Sequence, residues 1–241
     1  MKITLDEFRK KIELSLVNQY VSEKEVFEFC KKTRRAKIGV ICVNPIYVEI
    51  VKLFLGNSRI NISANIGFPF GTNLTATKVF ETNKAIIDGA DQIDVVINIG
   101  ALKSNKDDLV HSDIEEVVRE AKKKGILVKA IIETWVLNDE EKIRACKIVE
   151  SAGADIIKTT TGVKTQYLYK INNNPVGATI EDIKLIRSNL GKNMRIKASG
   201  GIYNLKIAIE LLKAGADQLG VSKGLELIDD FVSTYGNTGE V

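Results

Sequence analysis

The stretch GADIIKTTTG, Gly153 to Gly162, places a lysine at the end of an apolar, β-branched run and follows it with three threonines and a glycine. A buried ammonium is costly unless it is paired or neutralised, so Lys158 asks for a chemical reason. A second lysine, Lys197, sits near the end of the run MRIKASGG, and Asp94 is embedded in QIDVVINIG. Lys158 and Lys197 fall on consecutive strands, which lie about 5 Å apart. Two ammonium groups that close repel, which lowers the pKa of one of them, and partial burial acts the same way. A neutral amine attacks carbonyl carbons and forms a Schiff base, which then serves as an electron sink. Asp94 beside them would shuttle a proton through a water or simply neutralise one lysine. The competing reading is structural: each lysine pairs with a carboxylate such as Asp94 or Glu133 and helps fill the interior with a satisfied polar layer.

Glycine marks a second kind of chemistry. The runs KASGGI (Lys197 to Ile202) and GVSKG (Gly220 to Gly224) each end a strand and precede a helical pattern. Glycines let backbone N–H groups approach an anion closely, and a helix N-terminus adds favourable partial charge. With TTTG at Thr159 to Gly162, three glycine-bearing loops could surround one phosphate. Taken singly, each loop is equally explained by turn geometry.

These groups need a scaffold that gathers strand ends. Short apolar runs alternate with amphipathic segments along the whole chain: 11–16, 38–43, 60–68, 92–100, 128–134, 155–162, 194–201 and 218–224. Between them, SEKEVFEFCKKTRR opens with the capping box Ser22 and Glu25. Other helical patterns begin on Thr or Asn and stop at Gly. The tripeptide Gly-Ala-Asp recurs at 89–91, 153–155 and 215–217, each time where a helix hands over to a strand. Eight β/α units in 241 residues predict a single (β/α)8 TIM barrel over 1–241, with a mobile tail at 235–241. A doubly wound sheet would show a glycine-rich fingerprint after its first strand, and KIELSLVNQY has none. In a barrel, catalytic groups collect at the C-terminal strand ends. Those positions offer Glu13, Cys42, Asn65, Asp94 with Asn98, Glu133, Lys158 with its threonines, Lys197 with Ser199, and Ser222 with Lys223.

Composition narrows the remaining choices. The 44% hydrophobic and 27% charged residues fit one compact soluble domain. Basic clusters such as Lys31 to Arg35 lie in helical patterns and read as solvated faces, not a nucleic-acid surface, although a net charge of +4 favours an anionic substrate. No apolar run is long enough for a membrane span, and the N-terminus lacks a signal-peptide core, so a cytoplasmic protein is expected. Cys30, Cys42 and Cys146 form no CxxC pair, and the single histidine, His111, lies in a helical pattern. No metal site, disulfide framework or cofactor is indicated.

The segments ADIIKTTTG, IKASGGIYNLKIAIELLKAGADQLGVSKG, IGFPFG with TKVFET, QIDVVINIGALKS, VKAIIET and ICVNP resemble, in the same order over about residues 12–228, those of the deoxyribose-phosphate aldolase family of class I aldolases. The resemblance implies that Lys158 is the Schiff-base lysine, that Lys197 lowers its pKa, and that Asp94 serves the proton relay. It further implies that Cys42 lies near the substrate without acting as nucleophile. Gly162, Gly200, Gly201, Gly220 and Ser222 match the phosphate-loop positions, and Thr161 beside them is expected to bind substrate. The implied reaction is reversible cleavage of 2-deoxy-D-ribose 5-phosphate to D-glyceraldehyde 3-phosphate and acetaldehyde, with no metal, in an enzyme of possible homodimeric or larger assembly.

The chain departs from the family at four places. Glu13 stands where an aspartate is usual, keeping the carboxylate but changing its reach. Lys223 replaces the usual second serine of the last phosphate loop, adding charge at a substrate-binding position or pointing to solvent. An insertion, VKTQYLYKINNNPV at 163–176, follows Gly162 directly and reads as a lid or as a surface extension. Tyr235 lies near the end without the motif that surrounds the family's tail tyrosine. Two other readings therefore stand beside the first: a Schiff-base aldolase for a different phosphorylated aldol or ketol, and a sugar-phosphate-binding protein without turnover. Phosphate binding alone needs none of Lys158, Lys197 and Asp94 buried.

Overall fold

The computed structural model describes residues 2–163 and 177–240. The insertion expected at 163–176 lies outside them except for Val163. The strands are β1 (Lys2–Thr4), β2 (Ile12–Leu16), β3 (Val40–Val43), β4 (Asn61–Ile66), β5 (Gln92–Val96), β6 (Leu127–Ile131), β7 (Ile156–Lys158), β8 (Arg195–Ser199), β9 (Gln218–Val221) and β10 (Thr238–Glu240). β2 to β9 pair in parallel, in sequence order, into a closed barrel. The helices are α1 (Leu5–Lys11), α2 (Glu23–Ala36), α3 (Val48–Leu55), α4 (Thr75–Ile87), α5 (Ile99–Lys103), α6 (Asp107–Lys122), α7 (Asp139–Ser151), α8 (Ile180–Ser188), α9 (Leu205–Lys213) and α10 (Gly224–Tyr235).

All eight expected strand runs contain barrel strands, and from β4 to β9 the strands stop short of the C-terminal ends of the apolar runs. The run 92–100 stops at Val96, because Asn98 turns the chain by capping α5, its Oδ1 accepting from Ala101 N at 3.0 Å. Sequence reading passed over α1, β1 and β10. β10 pairs antiparallel with β1, so the segment expected to be mobile has backbone partners.

The recurring Gly-Ala-Asp is a structural joint. Each glycine takes a positive φ after a helix, at 107°, 83° and 117°. Each aspartate then bridges to the neighbouring strand: Asp91 Oδ2 accepts from Ile62 N at 2.9 Å, Asp155 Oδ2 from Val128 N at 2.8 Å, and Asp217 Oδ2 from Ile196 N at 2.8 Å. Repeating one joint repeats one strand stagger, and a constant stagger is what lets a sheet close. Valine, isoleucine and leucine pack between barrel and helices, whereas the barrel interior carries the charges.

Candidate active site

Inside the barrel, five charged side chains share one buried layer. Asp94 on β5 accepts from Lys129 Nζ through Oδ1 at 2.7 Å, and from both Lys158 Nζ and Lys197 Nζ through Oδ2 at 2.8 Å each. Glu13 on β2 closes the ring from the far side, taking Lys129 at 2.9 Å on one oxygen and Lys197 on the other. Ser63 donates to Asp94 Oδ1 at 2.7 Å and accepts from Lys129 at 3.0 Å. Barrel register makes these meetings: Asp94 lies beside Lys129, and Lys158 beside Lys197. Gly220 on β9 makes room for one of them, since a Cβ there would sit 2.7 Å from Lys197 Cε.

Three ammonium groups face two carboxylates, so the fully charged layer carries one surplus positive charge. Lys197 resists giving up its proton: burial opposes its charge, but the Asp94 and Glu13 carboxylates outweigh burial and raise its pKa. Burial likewise opposes ionisation of Asp94, and Lys129, Lys158 and Lys197 overcome it, holding its carboxyl well below the ordinary 3.8. Glu13 is lowered from 4.5 by Lys129 and Lys197 against its own burial. Lys158 has one carboxylate partner and is 3% exposed, against 0% for Lys129, Asp94 and Lys197 and 1% for Glu13.

These directions set a pH dependence. The stability that Asp94 and Glu13 contribute is present above their ordinary values of 3.8 and 4.5 and disappears as pH falls through their lowered values. The stability from Lys197 is present below 10.5 and is lost as pH rises through its raised value. The thermal midpoint is therefore expected to hold between roughly pH 5 and 10 and to fall on either side. A midpoint that rose on acidification from about pH 5 to 3 would contradict this charge state.

Above the layer, at the C-terminal ends of the strands, opens a cavity of about 850 Å³. Thr161, Gly162, Gly200, Gly201, Gly220 and Ser222 line it, as do Asn65 and Ser199 at its floor. Gly162, Gly200 and Gly201 have φ of 74°, 82° and 74°, where a side chain is strained. At Gly200 a Cβ would also meet Thr160 Oγ1 at 2.6 Å. The threonines after Lys158 lock this turn to β8. Thr159 and Thr160 both donate to Ser199 O, at 3.1 and 2.8 Å, and Ser199 N donates back to Thr159 Oγ1 at 3.0 Å. Glu133, in the left-handed region at φ 57°, accepts from Thr161 N at 2.9 Å and from Trp135 Nε1. Its burial raises its pKa in spite of those bonds. Glu133 thus supports the loop after Lys158, and makes no direct ion pair with Lys158 or Lys197 of the kind the structural reading offered.

The structure separates some of the expected substrate contacts from the cavity. Glu13 and Cys42 belong to the buried layer beneath it: the oxygens of Glu13 are taken by lysines, and Cys42 Sγ lies 3.3 Å from Asn65 Oδ1 and 3.9 Å from Asp94 Oδ2. Burial, with Asp94 adding to it, pushes the Cys42 thiol up to about 12, so it is no thiolate at neutral pH. Lys223 is exposed at the start of α10 and is not among the residues that line the cavity, whereas its neighbour Ser222 is. Tyr235 ends the twelve-residue α10, about 18 Å along the helix from the cavity side, with its ring against Phe231. His111 lies on α6, in the outer layer, with Nδ1 3.9 Å from Glu115. Glu13, Cys42 and Asp94 do converge within 4.8 Å, but the ammonium groups already sit on those carboxylates and supply the positive charge a metal would bring.

Sequence reading missed Lys129. Its signal was visible in VKAIIET, a lysine between apolar residues of a strand run, the same pattern that drew attention to Lys158.

The sequence profile of DeoC/LacD family aldolases matches residues 10–228. The chain is 43% identical over 224 residues to the deoxyribose-phosphate aldolase of Clostridium tetani, covering 93% of this chain and 99% of that one. It is 40% identical to that of Thermococcus gammatolerans, covering 91% and 94%. Among solved structures, an aldolase called QR15 superposes with a TM-score of 0.85 at 38% identity, covering 94% of this chain and 96% of its own. The tetrameric deoxyribose phosphate aldolase of Aeropyrum pernix superposes with a TM-score of 0.81 at 27% identity, covering 95% and 92%.

Proposed function

The chain belongs to the DeoC/LacD family of aldolases, and from that premise we propose that it reversibly splits 2-deoxy-D-ribose 5-phosphate into D-glyceraldehyde 3-phosphate and acetaldehyde through an imine on Lys158. The observation that carries this reading is the surplus cation of the buried layer. Loss of one proton neutralises the layer, and Lys158 contacts a single carboxylate where Lys129 and Lys197 each contact two. It is also the most exposed of the five, and the loop that follows it lines the cavity through Thr161 and Gly162.

The neutral amine adds to C1 of the open-chain sugar, and loss of water leaves an iminium. Asp94 and Lys197, through a water, take the proton of the C3 hydroxyl. The electrons of the C2–C3 bond move into the iminium, so the three-carbon aldehyde phosphate departs and an enamine of two carbons remains. Protonation at C2 and hydrolysis release acetaldehyde and restore Lys158. The phosphate lies among Gly200, Gly201, Ser222, Thr161 and Gly162, near the N-terminal ends of α9 and α10. A binding protein without turnover has no use for three lysines under its cavity floor.

Incubation with deoxyribose 5-phosphate followed by borohydride reduction is expected to leave an N-ethyl group on Lys158, found by peptide mass spectrometry. No adduct at that residue would end the Schiff-base reading. Lys197→Leu is expected to raise the pH needed for trapping, since it removes the surplus charge that favours proton loss. Assembly into homodimers or larger is part of the same reading, and a single-chain mass by sedimentation would count against it.

A further inference from the structure

Asn65 has no task in the mechanism above. It is fully buried at the C-terminal end of β4, and it lines the cavity floor. Its Oδ1 accepts from the Cys42 thiol at 3.3 Å, which orients the amide. The other end, Nδ2, is buried and has no hydrogen-bond partner among the described residues. A buried N–H donor left unpaired is costly, and such groups in folded proteins await a ligand or a water.

The place of Asn65 in the barrel says which part of a ligand it meets. It stands beside Asp94 in the β4–β5 register, and Cys42 touches both. Asp94 Oδ2 in turn holds Lys158 Nζ at 2.8 Å. In the closed ring, β4 lies across the barrel from β8, which carries Gly200 and Gly201. A sugar bound through C1 to Lys158 with its phosphate at those glycines runs away from β4. The substrate carbon left nearest to Asn65 is C2, next to the imine.

We propose that Asn65 Nδ2 hydrogen-bonds an oxygen on C2, so that the enzyme takes 2-hydroxyaldehydes, glycolaldehyde being the smallest, as donors in addition to acetaldehyde. The proposal rests on the Schiff-base reading of Lys158. Glycolaldehyde and the Lys158 amine condense to an imine with loss of water, and removal of a C2 proton gives a hydroxy-enamine. Its C2 attacks the aldehyde carbon of glyceraldehyde 3-phosphate, forming the C2–C3 bond, and the new alkoxide takes up a proton. Water then hydrolyses the iminium, returning Lys158 and a pentose 5-phosphate that keeps its C2 hydroxyl. No oxidant or reductant takes part. With acetaldehyde bound, a water occupies the place of the missing oxygen.

The test supplies glyceraldehyde 3-phosphate with glycolaldehyde, or with propanal, whose methyl group replaces the hydroxyl at nearly equal size. Product formation by mass spectrometry gives kcat/KM for each donor. The wild-type enzyme is expected to favour glycolaldehyde over propanal by about tenfold or more. Asn65→Leu, which keeps the branching and removes the donor, is expected to cut that ratio by at least about tenfold, with Asn65→Val as a second variant. Equal use of the two donors by wild type, failure to use glycolaldehyde, or an unchanged ratio in a folded variant would overturn the proposal. The wild-type comparison decides even where neither variant folds. Borohydride trapping of acetaldehyde runs alongside. Absence of a Lys158 adduct removes the Schiff-base reading itself, whereas an adduct without donor preference removes only the role of Asn65.

Discussion

Asp94→Asn is expected to lose both stability and turnover. Asp94 touches all three lysines of the barrel interior, and its two oxygens also hold Ser63 and lie near Cys42. An amide of the same shape leaves three ammonium groups around the single carboxylate of Glu13 and turns two acceptor oxygens into one. Removing one partner from a buried ionic set costs about 3–5 kcal/mol, because the remaining charges stay out of water without compensation. Turnover is expected to fall by about 10²- to 10⁴-fold, the range for loss of a proton-transfer group. Denaturant unfolding and initial rates at pH 7 check the two together. A variant within about 1 kcal/mol of the parent would mean that Asp94 does not balance the layer.

Lys158→Leu separates catalysis from stability. Without Nζ no imine forms, and the rate of cleavage is expected to drop by at least about 10³-fold. Stability is expected to hold or to rise by about 1–3 kcal/mol, because the surplus cation is gone and the remaining two lysines match Glu13 and Asp94 in charge. The sign is the informative part. If Lys158 were only a structural counter-ion for Asp94, its removal would destabilise the protein as Asp94→Asn does. A thermal midpoint lowered by several degrees in Lys158→Leu would therefore support the satisfied-polar-layer reading and count against the catalytic one.

Much of this protein was legible because its signals are local. Ser22 with Glu25 caps α2, Asn138 and Thr179 cap α7 and α8, and each Gly-Ala-Asp marks a joint within a few residues of chain. Alternation placed Asp94, Lys158 and Lys197 on strands, and their oddity among apolar neighbours identified them. Lys129 carries the same oddity and went unused, since nothing near it in sequence suggested a partner. β1 and β10 escaped because three-residue strands show no period.

The sequence by itself determined the number of β/α units, the family to which they belong and four of the five ionisable residues of the barrel layer, Glu13, Asp94, Lys158 and Lys197. Depth and partnership were decided only by the closed structure. Lys129 meets Glu13 across 116 residues of sequence and Lys197 meets it across 184, contacts that exist because β2 pairs with β9. The two-residue repeat of a strand tells which face a side chain takes but not which layer of the barrel it reaches. For that reason Glu13 and Cys42 looked like substrate contacts and lie beneath the cavity, whereas Asn65, two residues along β4 from Ser63, reaches its floor. A charge balance is a property of groups brought together, and only closure of the sheet set three lysines against two carboxylates.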